Sequence, residues 1–132
     1  METDKISGSV TILIVEDDPI VQKLVGMSIS RAGYGTSVAC NGVMALECIA
    51  KHKPDLIISD IMMPEMDGYT LLYYLKSSPE TKDIPVIFLT ARDSTIDVHD
   101  GLDMGACDYI CKPFNPEELL TCIRKKITTN PK

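Results

Sequence analysis

An α/β domain in which five strands alternate with five helices, a (βα)5 doubly wound arrangement with helices on both faces of one five-stranded parallel sheet, is the fold class predicted by this 132-residue sequence. Two observations predict it. Short apolar runs rich in β-branched residues recur along the chain without polar alternation, the pattern of strands covered on both faces. Between them stand segments with apolar residues at helical spacing, some opened by a capping residue and a proline. Elements alternating in this way build a parallel sheet with right-handed crossovers.

The first strand is VTILIV, Val10 to Val15. A helix follows over Pro19–Arg31, with Asp18 as its cap, Pro19 at its first position, and Ile20, Val21, Leu24, Val25 and Ile29 at i, i+4 spacings. TSVAC, Thr36 to Cys40, is a weaker second strand, and Val43–Lys51 a second helix with Val43, Leu46, Ile49 and Ala50 expected on one face. LIIS, Leu56 to Ser59, is the third strand, followed after Gly68 by a short helix over Tyr69–Lys76. VIFL, Val86 to Leu89, precedes a fourth helical segment over Ser94–Met104 whose only apolar residues among many acids are Ile96, Val98, Leu102 and Met104, a poor stripe that predicts a loosely held outer surface. DYIC, Asp108 to Cys111, is the fifth strand. The last helix opens with Asn115, Pro116, Glu117 and Glu118, a cap, a proline and two acids at the positive end of the dipole, and carries Leu119, Leu120, Ile123 and Ile127. The boundaries expected are a tail over 1–9, one domain over 10–127, and a polar tail or the start of a linker over 128–132.

A chain of this length can bury roughly two-thirds of its unfolded surface, enough for a core without staples. The hydrophobic share of 45% and the charged share of 24% are ordinary for a folded globular domain. The N-terminal METDKISGSV has no basic segment followed by an apolar one, and no run approaches a membrane span, so a cytoplasmic setting without membrane contact is expected. The five cysteines, Cys40, Cys48, Cys107, Cys111 and Cys122, follow no C-x-x-C spacing and read as reduced, buried thiols. A formal net charge of -6 argues against direct contact with nucleic acid, and the short basic cluster Arg124–Lys126 sits where cations suit a helix end.

In an open parallel sheet, ligands bind beyond the carboxyl ends of the strands. Here the first strand ends in Glu16, Asp17 and Asp18, the third in Asp60, the fourth in Thr90 and the fifth in Lys112. Carboxylates crowded together repel unless a cation intervenes, and oxygen-only ligands favour a hard ion such as Mg2+. Beside such a pocket Asp60 can accept a phosphoryl group as an acyl phosphate, with Lys112 neutralising its charge and the Thr90 hydroxyl donating a hydrogen bond to it. Singly, each residue has a plainer role as a cap or a solvated charge. Their joint placement at successive strand ends is what points to phosphoryl chemistry.

With ILIVEDDP, DLIISDIMMPEMDG, IPVIFLTA, GLDMGACDYI and CKPF in this order, residues 10–127 resemble the receiver domain of two-component response regulators, the family that includes the chemotaxis response regulator. The resemblance implies a flavodoxin-like fold with Asp60 as the phosphorylated residue. Asp17 would bind Mg2+ directly, Glu16 through water, and Met62 by its main-chain carbonyl, leaving Asp18 to capping. Thr90 would be the switch hydroxyl and Tyr109 the switch aromatic. Lys112–Pro113 would be a cis peptide, Pro64 and Gly68 would shape the loop after Asp60, and Ala91 would leave the phosphate uncrowded. Glu16 stands where many members have Asp, a longer arm at the metal. Met62 and Arg92 flank the site and would tune the lifetime of the acyl phosphate.

The implied function is a signalling switch that catalyses only its own phosphorylation and dephosphorylation. Its donor would be a sensor histidine kinase or a histidine phosphotransferase, and its output an effector domain in a longer protein or a separate target. A phosphorylation-dependent homodimer through the fourth helical segment is a further expectation. Two alternatives differ in class. A degenerate receiver acting only as an interaction module would lack an acid, the lysine or the hydroxyl, and none is lacking. An aspartyl-phosphate hydrolase of the haloacid dehalogenase type needs a second acid two residues after the first, where this chain has Met62.

Overall fold

The computed structural model describes residues 10–63, 65–91 and 108–129. Its elements are β1 (Thr11–Val15), α1 (Pro19–Arg31), β2 (Gly35–Ala39), α2 (Gly42–Lys51), β3 (Leu56–Asp60), α3 (Gly68–Lys76), β4 (Val86–Ala91), β5 (Asp108–Lys112) and α4 (Pro116–Thr129). The expected fourth helical segment over Ser94–Met104 lies outside the described residues, as do Pro64, Arg92 and Cys107.

All neighbouring strands pair in parallel, in the order β2-β1-β3-β4-β5. From β1 the chain moves outward to β2 and then crosses back to β3, so the topology reverses between β1 and β3. At such a reversal the connections leave on opposite faces and open a crevice at the carboxyl edge. Glu16 follows β1 and Asp60 ends β3, so both stand at that crevice.

Alternate residues of the strands feed two cores. Ile12 and Ile14 of β1, with Ile58, Ile87, Leu89 and Ile110, pack under Val25 and Ile29 of α1 and Leu119 and Ile123 of α4. Leu13 and Val15, with Ile57, Val86 and Phe88, pack under Ala45 and Ile49 of α2 and Leu71, Leu72 and Leu75 of α3. Every residue of β3 is buried, which explains the unbroken apolar run Leu56–Ile58 that precedes Ser59 and Asp60. The helix starts follow local chemistry. Asp18 Oδ1 accepts from the Ile20 N–H at 2.9 Å, Asn41 Oδ1 from Met44 at 2.8 Å, Asp67 Oδ1 from Thr70 at 2.8 Å, and Asn115 Oδ1 from Glu117 at 2.8 Å.

The structure decides which apolar side of α1 is covered and corrects two expectations about burial. On α1 the covered stripe is the buried Val25 and Ile29 with the half-buried Val21, while Ile20 and Leu24 are 69% and 52% exposed, because the apolar i, i+4 pairs fall on two separate sides of the helix. On α2, Val43 and Ala50 are exposed, and Ala45 joins Ile49 in the core in their place. Cys40 and Cys111 are exposed, not buried, because each belongs to an edge strand or its exit, where one side has no neighbouring strand. Among the described residues no helix is long and apolar enough to cross a membrane.

Among the described cysteines Cys122 is the buried one. Burial, and then a hydrogen bond from Sγ to Asp108 Oδ2 at 3.2 Å, push its pKa up to about 12. Because the thiolate is the nucleophile, Cys122 should resist alkylation at mild pH while Cys40 and Cys111 are labelled readily. Peptide mapping after brief iodoacetamide treatment, with and without urea, checks this. Equal labelling of Cys122 in the folded protein would contradict it.

Candidate functional site

The carboxyl ends of β1, β3 and β5 bring four charged side chains together. One carboxylate oxygen from each of Glu16, Asp17 and Asp60 falls within 4.8 Å of the others, with Glu16 and Asp60 buried and Asp17 exposed. Lys112 reaches in from β5, its Nζ donating to Asp60 Oδ2 at 3.0 Å. The same nitrogen lies 3.3 Å from Glu16 Oε1, an ionic approach without hydrogen-bond alignment. Glu16 Oε1 therefore has no hydrogen-bond partner among the described residues, although it is buried. A buried carboxylate oxygen that has an ionic contact with Lys112 but no aligned hydrogen bond, beside two further carboxylates, is an arrangement that a hard cation satisfies.

Glu16 is held by its surroundings. Its N–H donates to the Ala39 carbonyl at 3.0 Å, its own carbonyl accepts from the Gln22 side chain, and its Oε2 accepts from the Asp18 N–H at 3.1 Å. Burial, reinforced by the negative charge of Asp60, pushes the Glu16 pKa up to about 7 against the opposing pull of the Asp18 N–H and of Lys112. Partial burial acts to lower the pKa of Lys112, but its pairing with Asp60 and then with Glu16 prevails and holds the amine above its ordinary value. The lysine is a fixed positive charge at the mouth of Asp60.

The loop after Asp60 is drawn tightly against the strand. Met62 N lies 3.4 Å from Asp60 Oδ1, the Gly68 N–H donates to the Ile61 carbonyl at 2.8 Å, and the buried Ser59 hydroxyl donates to the Asp60 carbonyl at 2.8 Å. Glu65 takes a φ of 71°, a left-handed conformation within this loop. The Met62 side chain is 73% exposed.

Thr90 is buried at the end of β4, and Ala91 closes that strand opposite Lys112. Tyr109 is half-buried and faces its register partner Phe88, with ring centroids 5.6 Å apart at 53°. Phe88 also meets Tyr69 of α3 edge-on at 5.5 Å. The Lys112–Pro113 bond is cis. The fold thus brings Glu16, Asp17, Asp60 and Lys112 into one cluster and sets Thr90 and Tyr109 on the adjoining strands. Sequence reasoning missed Gln22 and Ser59, whose partners are backbone carbonyls and so leave no signal in residue type.

The sequence model described as the response regulator receiver domain matches residues 12–124. The chain belongs to that family. Among curated relatives, the receiver is similar to the response regulator MprA of Mycobacterium ulcerans, at 46% identity over 88% of this chain and 49% of the relative. It spans about half the length of the curated relatives it matches. Among solved structures it is similar to the signal receiver domain of a signal transduction histidine kinase from Syntrophus aciditrophicus, with 37% identity, a TM-score of 0.86, and coverage of 94% of this chain and 96% of the other. It is also similar to the receiver domain of the sensor histidine kinase PA1611 from Pseudomonas aeruginosa, described with a magnesium ion coordinated in its active site cleft. There the identity is 28%, the TM-score 0.84, and the coverage 91% of this chain and 98% of that one. Receiver domains are signalling domains of two-component systems, whose standard function is phosphoryl transfer.

Proposed function

We propose that, within residues 10–127, Asp60 accepts a phosphoryl group from a phosphohistidine and that the product is a conformational signal. The observation that carries this is the meeting of Lys112 Nζ with Asp60 Oδ2 at 3.0 Å inside a cluster of three carboxylates at the sheet's topological reversal. The donor is a sensor histidine kinase or a histidine phosphotransferase, and the recipient of the signal an effector domain or a separate target protein. The receiver catalyses its own phosphorylation and dephosphorylation and turns over no other substrate.

The residues fit Mg2+. Glu16, Asp17 and Asp60 offer oxygen alone, and the buried Glu16 Oε1 lacks a hydrogen-bond partner among the described residues. Met62 would add its main-chain carbonyl. When bound, Mg2+ supplies positive charge to the crowded carboxylates and to the phosphoryl oxygens. An Asp60 carboxylate oxygen attacks phosphorus; the P–N bond breaks, its electron pair returns to the imidazole nitrogen, and that nitrogen takes up a proton. Lys112 stays charged throughout and balances the negative charge brought onto Asp60. Thr90 then draws its hydroxyl towards the phosphoryl group, and the half-buried Tyr109 turns inward, changing the surface around β5 that a partner meets.

Intact mass after incubation with a small phosphodonor and Mg2+ tests this, beside Asp60→Asn and an EDTA sample. One labile phosphate, absent in both controls, is expected. No phosphate on the wild type would leave an interaction module independent of phosphate, and phosphate persisting on Asp60→Asn would mean another acceptor. Fluorotyrosine spectra of the same samples follow Tyr109, and an unmoved Tyr109 resonance would remove its switch role.

A further inference from the structure

We infer that Gln22 is a positioning residue for the acid pair, fixing the peptide that joins Glu16 to Asp17 and so setting the angle between the two carboxylates. The inference rests on the Mg2+ site proposed above and adds a residue to it.

Gln22 opens the second turn of α1, and its N–H makes an early helical bond, to the Asp18 carbonyl at 2.9 Å. Helical side chains lean towards the N-terminus, so this amide folds back over the helix start. There Nε2 donates to the main-chain carbonyl of Glu16, six residues earlier. It also stands 4.0 Å from Cys40 Sγ, beside the end of β2. The carbonyl it holds belongs to the Glu16–Asp17 peptide unit, which is planar, so orienting that oxygen also orients the Asp17 N–H and the direction in which Asp17 leaves the chain.

The other restraints on this turn act elsewhere. The Ala39 carbonyl fixes the Glu16 N–H, and the Asp18 N–H fixes the Glu16 carboxylate. Neither constrains the peptide between the acids. Asp17 is exposed, with little packing to orient it, so the hold of Gln22 on its peptide is the remaining side-chain contact seen there among the described residues. Groups one step removed from a metal act by orienting its ligands, and losing one typically weakens metal binding about 10- to 100-fold.

Gln22→Met keeps the length and removes the donor. Calorimetric titration with Mg2+ should show about a tenfold weaker Kd for this variant, while its urea midpoint in EDTA matches the wild type. Gln22→Lys restores a donor and should recover most of the affinity, even though its added positive charge disfavours the cation. A wild-type Kd in Gln22→Met would overturn the role of Gln22 and leave the metal site standing. A wild type that takes up no Mg2+ would overturn the metal site and this inference with it. If Gln22→Met also loses stability in EDTA, the lysine variant decides: restored affinity supports positioning, and affinity still lost overturns it.

Discussion

Gly68→Ala will destabilise the protein by about 2–4 kcal/mol and slow the proposed phosphorylation of Asp60, although in a helix interior alanine is the better helix former by about 1 kcal/mol. A Cβ at Gly68 would lie 2.6 Å from the Asp60 carbonyl oxygen, 2.9 Å from Ile61 Cα and 2.9 Å from Phe88 Cε1. Two of these three are backbone atoms. The Asp60 carbonyl is fixed by the Ser59 hydroxyl, and the Phe88 ring is wedged between Tyr69 and Tyr109. Relief must therefore come from the loop between β3 and α3, and moving that loop moves Met62 N away from Asp60 Oδ1. Gly42 offers the contrast, since there the clashing atoms, at 2.7 to 2.9 Å, all belong to the side chain of Met66, which can rotate. Urea unfolding of the two alanine variants separates them. A loss below about 1 kcal/mol for Gly68→Ala would show that the loop yields more easily than its contacts imply.

How far this fold and site can be read from sequence depends on the range of the interaction involved. Helix starts are local, and Asp18, Asn115 and their following prolines mark them within a few residues. The central strands β1, β3 and β4 are legible because burial on both faces leaves continuous apolar runs, whereas the edge strand β2 is largely exposed and gives a weaker signal. The strand-end rule then gathers Glu16, Asp17, Asp60 and Lys112 without knowledge of any contact. Burial on a helix is harder. Ile20 and Leu24 have the same chemistry and spacing as Val21 and Val25, and only the direction in which α1 meets the sheet decides which pair is covered. The turn at Gly68 is visible as a glycine, but its proximity to the Asp60 carbonyl depends on the loop's path. Gln22 and Ser59 act on main-chain carbonyls, which every residue possesses, so residue type alone cannot reveal the partner.

In EDTA, the stability of the wild type relative to Glu16→Gln will fall as pH rises from about 5 to about 8. The Glu16 carboxyl is raised from 4.5 to about 7, mainly by burial and then by the charge of Asp60, so across that interval the folded state binds protons that the unfolded chain has released. Stabilisation from a raised group is complete below its unfolded pKa and disappears as pH climbs through its folded pKa. The difference can reach about 2–3 kcal/mol by pH 8, taking about 1.4 kcal/mol per pKa unit and a discount for solvent screening; the pull of Lys112 is already contained in the pKa of about 7. Lys112 adds no slope in this window, since its own raised pKa keeps it charged on both sides of the transition. Glutamine keeps the volume and has no proton to lose, so its urea midpoint should stay nearly flat where the wild type declines. Mg2+ should reverse the ordering at pH 8 by stabilising the wild type, whose ionised Glu16 then has a cation to face, while giving little to Glu16→Gln. Parallel pH profiles for the two proteins in EDTA would mean that Glu16 ionises without cost in the folded state. Glu16 Oε1 would then have found water or a lysine contact better than the 3.3 Å approach of Lys112, and the case for a cation at this oxygen would lose its electrostatic basis.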